Sequence, residues 1–231
     1  MLGKVIAITG IDTGVGKTVA TGLLARALLK AGRKVTTQKP VETGGSGVSA
    51  DILRHREIMG MTLQDVDRDG TTCSYLFGHP ASPHLAAALE KKRIDVSVID
   101  RATSRLQAEY DIVLMEGAGG LLVPLNEELL FADYLQERAY PLVLVASSRL
   151  GSINHTLLSL EACRKRGLQL NGLLYNFAGG SDKVIARDTL RVLRKAPGKY
   201  GYHCPVIEIP DIGKDYPDLS REDITKVLHE S

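Results

Sequence analysis

The sequence predicts a three-layer α/β fold: a doubly wound, mostly parallel sheet with helices on both faces, built as a single domain over residues 1–231. Three observations predict it. Short β-branched apolar runs alternate with longer helical patterns along the chain. The apolar runs are near-continuous rather than alternating, as in strands buried on both faces of a parallel sheet. No composition break, repeat or low-complexity tract marks a second domain.

Residues 4–9 (KVIAIT) read as a buried first strand, followed by a Gly-rich turn. The helical pattern Lys17–Lys30 comes next, with Val19, Leu23, Leu24, Ala27 and Leu28 on one face and Gly32 where a C-cap is expected. Further strands are expected at 34–38, 112–115, 142–146, 170–175 and Val206–Ile209. Helices are expected at Val96–Glu109, Ser152–Lys165, 181–195 and 221–229. Ser220 and Asp223 are spaced like a capping box at the last of these. Residues 42–50 and 65–83 are the least regular, and such stretches are commonly loops at the active-site end.

Hydrophobic residues make up 44% and charged residues 24%, the balance of a globular chain with a substantial core. A net charge of +2 points to neither nucleic acid nor an anionic membrane. No apolar stretch approaches the roughly 18 residues of a membrane span, and residues 1–9 do not have the form of a signal peptide. Cys73, Cys163 and Cys204 lie far apart with no C-x-x-C, and read as reduced thiols of a cytoplasmic protein.

Ligands of open α/β sheets bind beyond the carboxyl ends of the strands, and the chemistry-bearing residues fall there. Residues 10–18 read G-I-D-T-G-V-G-K-T between a strand and a helix. Glycines let successive N–H groups of Gly14, Val15 and Gly16 face phosphates at a helix N-terminus, Lys17 reaches the β/γ-phosphates, and the Thr18 hydroxyl suits Mg²⁺. This loop gives the fold its P-loop NTPase type. Five residues separate Gly10 from Gly16, one more than the usual four.

The strand ending at Glu116 delivers a carboxylate to the same end, where a P-loop enzyme needs a partner for Mg²⁺; Gly117, Ala118 and Gly119 follow it and allow close backbone approach. Glu116 also reads as a carboxylate capping the next turn. Lys39 follows the second strand, aimed at the same crevice or simply solvated. Asp51, close behind Ser49, suits the first turn of a helix as well as a metal. Asn176 ends the 170–175 strand, where an amide can pair with both a donor and an acceptor on adenine. The guanine-reading N-K-x-D pattern is absent, since Phe177 follows.

Together these motifs resemble the dethiobiotin synthetase family. The loop over 10–18 is similar to G-T-D-T-x-V-G-K-T except at Ile11; residues 39–44 to K-P-V-x-[ST]-G; 82–84 to S-P-H; 116–120 to E-G-A-G-G; and 150–155 to L-G-x-I-N-H, while Asn176 matches a base-reading asparagine. The resemblance runs from residue 4 to about 212. It implies ATP- and Mg²⁺-dependent conversion of 7,8-diaminononanoate and CO₂ to dethiobiotin, ADP and phosphate. A carbamate would attack the γ-phosphate, and the carbamic–phosphoric anhydride would be closed by the second amine. It also implies a metal held by Thr18, Asp51 and Glu116, and catalysis by Lys17, Lys39 and Thr13. Val19, Phe177, Pro210, Asp211 and Ile212 would join the nucleotide site, and Thr43 the diamine site. A homodimer is implied, with Gly151, Ser152, Ile153 and Asn154 of one subunit serving the other's substrate carboxylate. Ser152 locally reads as the N-cap of that helix. Gly14 replaces an acidic residue of some members. The alternative is a partition-type switch ATPase of the same fold, but the additional loop lysine of those proteins is missing. Iron–sulfur relatives need cysteine pairs that are absent, and cobyrinate-type synthetases carry a glutamine-hydrolysing domain absent here.

Overall fold

The computed structural model describes residues 2–178, 182–211 and 216–228. Six parallel strands form the main sheet: β1 (Lys4–Gly10), β2 (Val35–Gln38), β5 (Ile112–Gly120), β6 (Leu142–Ser147), β7 (Leu170–Asn176) and β8 (Val206–Ile209), in the order β2-β5-β1-β6-β7-β8. All six residues of β6, all seven of β7 and the first six of β5 are buried. Burial without alternation, in strands that are mostly apolar, is the mark of two covered faces. The expected strands are all present, within a few residues of their expected ends.

α1 (Lys17–Lys30) packs against α2 (Ala50–Met59) and contacts β1, β2 and β5. α5 (Val96–Glu109) covers β5; α7 (Ser152–Lys165) covers β6 and meets α8 (Lys183–Leu193). The terminal α10 (Arg221–Leu228) lies on β7 and against α1, where the Asn171 amide donates to Val227 O at 2.8 Å. At its start Asp223 N donates to Ser220 Oγ at 3.1 Å, the serine half of the expected capping box, while the Ser220 hydroxyl donates to the Asp223 carboxylate at 2.6 Å.

The irregular stretches are more ordered than expected. β3 (Val41–Thr43) and β4 (Tyr75–Phe77) pair in parallel as a second small sheet. α4 (Pro83–Leu89) packs against β3; α3 (Asp65–Arg68), α6 (Phe131–Glu137) and α9 (Ala196–Lys199) are the remaining short helices among the described residues. One cap is corrected. Gly151, left-handed at φ 91°, occupies the N-cap of α7. Ser152 is already the first helical residue, fully buried, with its hydroxyl 3.0 Å from Ser147 Oγ. A glycine at positive φ makes the sharp entry that a serine would make only with strain.

From β1 the chain crosses to β2 on one side, and from β5 it crosses to β6 on the other. The loops leaving β1 and β5 thus part in opposite directions, opening a crevice at their carboxyl ends.

Candidate active site

The crevice is a cavity of about 400 Å³ lined by Thr13, Gly14, Gly16, Lys17, Thr18, Val19, Lys39, Glu42, Thr43, Asp51, Glu116, Ala118 and Gly119. All but Glu42 are expected site residues. Val15 is buried beneath the loop, and Gly117 lies against Phe131, whose ring leaves no room for a Cβ. Gly16 is left-handed at φ 93°, and a Cβ there would stand 2.1 Å from the Asn176 amide nitrogen. Only glycine fits, and it lets α1 begin at Lys17 with no side-chain cap over its first N–H groups.

Thr18 Oγ1 lies 2.7 Å from Asp51 Oδ1 and 3.2 Å from Glu116 Oε1. The Lys39 ammonium sits 2.6 Å from Asp51 Oδ2, 2.7 Å from Glu116 Oε1 and 3.3 Å from Gly117 O. Four places in the chain deliver these groups: Thr18 from α1, Lys39 from the position directly after β2, Asp51 from the first turn of α2, and Glu116 from the middle of β5, which runs on to Gly120 rather than ending before the carboxylate. Asp51 is both a first-turn residue and a member of the cluster. Burial opposes the charge on Lys39, but Glu116 and Asp51 raise its pKa well above the lysine range. Burial likewise opposes ionisation of Glu116, yet Lys39 and then His55 hold it far below the carboxylate range. Lys17 donates to Asp12 O at 3.0 Å; burial, with Lys39 nearby, lowers its pKa to about 8. One hydroxyl and two carboxylates form an all-oxygen donor set, which suits Mg²⁺ completed by phosphate and water. Among the described residues no group of three or more His, Cys, Asp or Glu side chains could hold a metal without such help.

Glu42, His55 and Thr37 were not expected. Glu42 accepts from Ala50 N at 2.9 Å and from the Ser49 hydroxyl, so it secures the start of α2 just before Asp51. His55 Nε2 lies 2.8 Å from Glu116 Oε2, and its Nδ1 lies 3.0 Å from Thr37 Oγ1. The i,i+4 spacing of Asp51 and His55 is the one signal that could have found the histidine.

Asn176 is buried, its amide donating to Val15 O at 3.1 Å and its Oδ1 accepting from Ala178 N at 3.0 Å. Phe177 N donates to Ile209 O, which brings Phe177 beside Pro210 and Asp211, both exposed. Ile212 lies outside the described residues. A second cavity of about 360 Å³ adjoins the loop, lined by Ile11, Asp12, Thr13, Leu121, Leu122, Val123, His155, Leu158 and Ser159 among others. Asp12 pairs there with Arg149, and His155 Nδ1 stands 3.7 Å away. Gly151, Ser152, Ile153 and Asn154 line neither cavity; Gly151 and Asn154 are exposed. The cysteines are unpaired, and among the described residues no helix is long and apolar enough to cross a membrane.

A family model described as an AAA domain matches residues 4–197. The chain is 56% identical to an ATP-dependent dethiobiotin synthetase of Chlorobaculum tepidum over 99% of this chain and 95% of that one. It is 53% identical to a second such synthetase from Haemophilus influenzae, over 76% and 92%. A third, from Halalkalibacterium halodurans, is 38% identical over 81% and 78%. A solved structure of the ParA protein of pNOB8 bound to nonspecific DNA matches with a TM-score of 0.56 over 99% of this chain and 98% of that one; at 14% identity the likeness is one of fold. With the phosphate loop, the carboxylate–lysine cluster and these relatives in agreement, the chain belongs to the ATP-dependent dethiobiotin synthetase family.

Proposed function

We propose that this protein is a cytoplasmic, homodimeric ligase that makes dethiobiotin from 7,8-diaminononanoate, CO₂ and MgATP. The observation that carries the reading is the convergence of Lys39 with Thr18, Asp51 and Glu116 beside the phosphate loop. One amine takes up CO₂ as a carbamate, whose oxygen attacks the γ-phosphate. ADP leaves, and the second amine displaces phosphate from the carbamic–phosphoric anhydride to close the ureido ring. Carbamate and γ-phosphate are both anionic. Lys17 and Lys39 concentrate the positive charge that lets them approach, while the loop N–H groups orient the triphosphate. Bound at Thr18, Asp51 and Glu116, magnesium would neutralise phosphate charge. A loose phosphoryl transition state needs no protein nucleophile. Thr13 and Thr43, on the rim of the same cavity, are placed to hydrogen-bond the carbamate or diamine. Asn176 keeps one N–H and one lone pair beyond its contacts with Val15 and Ala178, enough to pair with adenine.

Phosphate release from MgATP and bicarbonate, with and without 7,8-diaminononanoate, tests this when the products are followed by mass spectrometry. Diamine-dependent release with the ureido product is expected. Diamine-independent hydrolysis with no such product would overturn the reading and favour a switch ATPase.

A further inference from the structure

We propose that His55 is the positioning residue for Glu116, and that it sets how tightly the site takes up magnesium. This rests on the reading of Glu116 as a metal-holding carboxylate. The two oxygens of Glu116 are divided. Oε1 faces Lys39 and Thr18, and Oε2 faces His55 Nε2 at 2.8 Å. His55 is fully buried, and Glu116 is 1% exposed, so no water competes for that second oxygen.

The hydrogen-bond roles of the two ring nitrogens follow from their neighbours. Arg56 Nη1, which can only donate, gives a hydrogen bond to Thr37 Oγ1 at 2.9 Å. The ionised Glu116 carboxylate can only accept, so His55 Nε2 carries the N–H that donates to it, and in that tautomer Nδ1 accepts from the Thr37 hydroxyl. Arg56 itself donates to both oxygens of the Asp67 carboxylate, Nη2 to Oδ1 at 2.7 Å and Nε to Oδ2 at 2.8 Å. A buried chain from Asp67 through Arg56, Thr37 and His55 therefore ends on one carboxylate oxygen of the site. Asp51 and His55 share a face of α2 one turn apart, so a single helix places one carboxylate and aims the other. Without the imidazole, Glu116 is left with a buried, unpartnered Oε2 and swings about its terminal torsion to satisfy it, which takes Oε1 off Thr18.

The test compares His55→Leu, His55→Asn and His55→Gln. Glutamine reaches the Nε2 position, whereas asparagine reaches only toward Thr37. The readout is the magnesium concentration for half-maximal binding of a fluorescent ATP analogue, beside the KM for the diamine and the melting temperature in chelator. His55→Leu and His55→Asn are expected to raise the magnesium requirement about tenfold, the scale of outer-partner losses at metal sites. His55→Gln is expected to restore most of it, and the diamine KM is expected to stay unchanged. Lowered melting temperatures with an unchanged magnesium requirement would overturn the proposal and make His55 a packing residue. So would a His55→Gln protein as impaired as His55→Leu. Glu116→Gln serves as the reference. If it leaves the magnesium requirement untouched, the metal reading of Glu116 fails, and the positioning role with it; if it shifts the requirement while His55→Leu does not, the positioning role alone fails.

Discussion

Lys39 occupies the centre of the site, its ammonium within 2.7 Å of two carboxylates that would otherwise face one another. Its distance from Lys17 along the chain is bridged by the sheet, which makes the pair a local concentration of cationic charge. Lys39→Ala is expected to leave MgATP affinity largely intact, because the phosphate loop is untouched. Turnover should fall at least about tenfold, the mark of an interaction made mainly in the transition state. Equilibrium nucleotide binding beside steady-state rates checks this, and unaltered turnover would remove Lys39 from the catalytic set. At this scale the sequence was most legible where the chemistry is written in short runs: the loop over 10–18, Lys39, and Glu116 with its glycines. Thr37 and His55 were not legible, because each acts through a partner brought near by folding. Only Glu42, close to Ser49, makes its contacts locally.

Among the elements, α2 controls the most and announced itself least. Its sequence, ADILRHREIM, shows no clean apolar stripe because two of its buried positions are His55 and Arg56. Polar groups face inward there because each finds a partner, and hydrophobic periodicity cannot see that. β3 and β4 were invisible for another reason, since three residues each give too short a window for any period. The long strands and α1, α5 and α7 were readable because burial alone dictates them. The anchor of α2 is the Arg56–Asp67 pair. Burial would raise the Asp67 pKa, but Arg56 outweighs it and the pKa falls below the usual 3.8. A lowered carboxylate pKa contributes stability above the unfolded value, which is lost as pH drops through the folded one. Asp67→Asn is therefore expected to cost roughly 3–5 kcal/mol near neutrality, as when one partner of a buried pair is removed. The difference from the unaltered protein should begin to shrink below pH about 4, where Asp67 of the unfolded chain takes up its proton, and vanish as pH falls through the lower folded-state pKa. Denaturant melts at several pH values measure it, and a gap that does not vary with pH would rule out the charge as its source.

For the molecule as a whole, the second cavity and the exposed Leu122, Leu150 and Leu158 mark the side on which α7 begins. Gly151 and Asn154, at the start of that helix, are exposed and line neither of the chain's own cavities. This fits the proposal that they serve a neighbouring subunit, with the helix N-terminus meeting a carboxylate. Asn154→Ala mixed with Lys17→Ala is then expected to regain activity, since part of the mixture forms dimers with one intact composite site. Failure of the mixture to exceed either variant alone would argue against shared sites.

The placement of β5 between β1 and β2 also has a consequence for the order in which the protein comes into being. During synthesis the phosphate loop and α1 emerge early, followed by β2, yet β1 and β2 share no ladder with each other. Each waits for Ile112–Gly120 to slide between them, and that same strand carries Glu116. A nascent chain that stops before Ile112 therefore contains every residue of the loop and no floor beneath it. Nucleotide recognition is not inherited from the motif alone; it waits for a strand made about halfway along the chain, before β6, β7 and β8 extend the sheet from the other edge of β1.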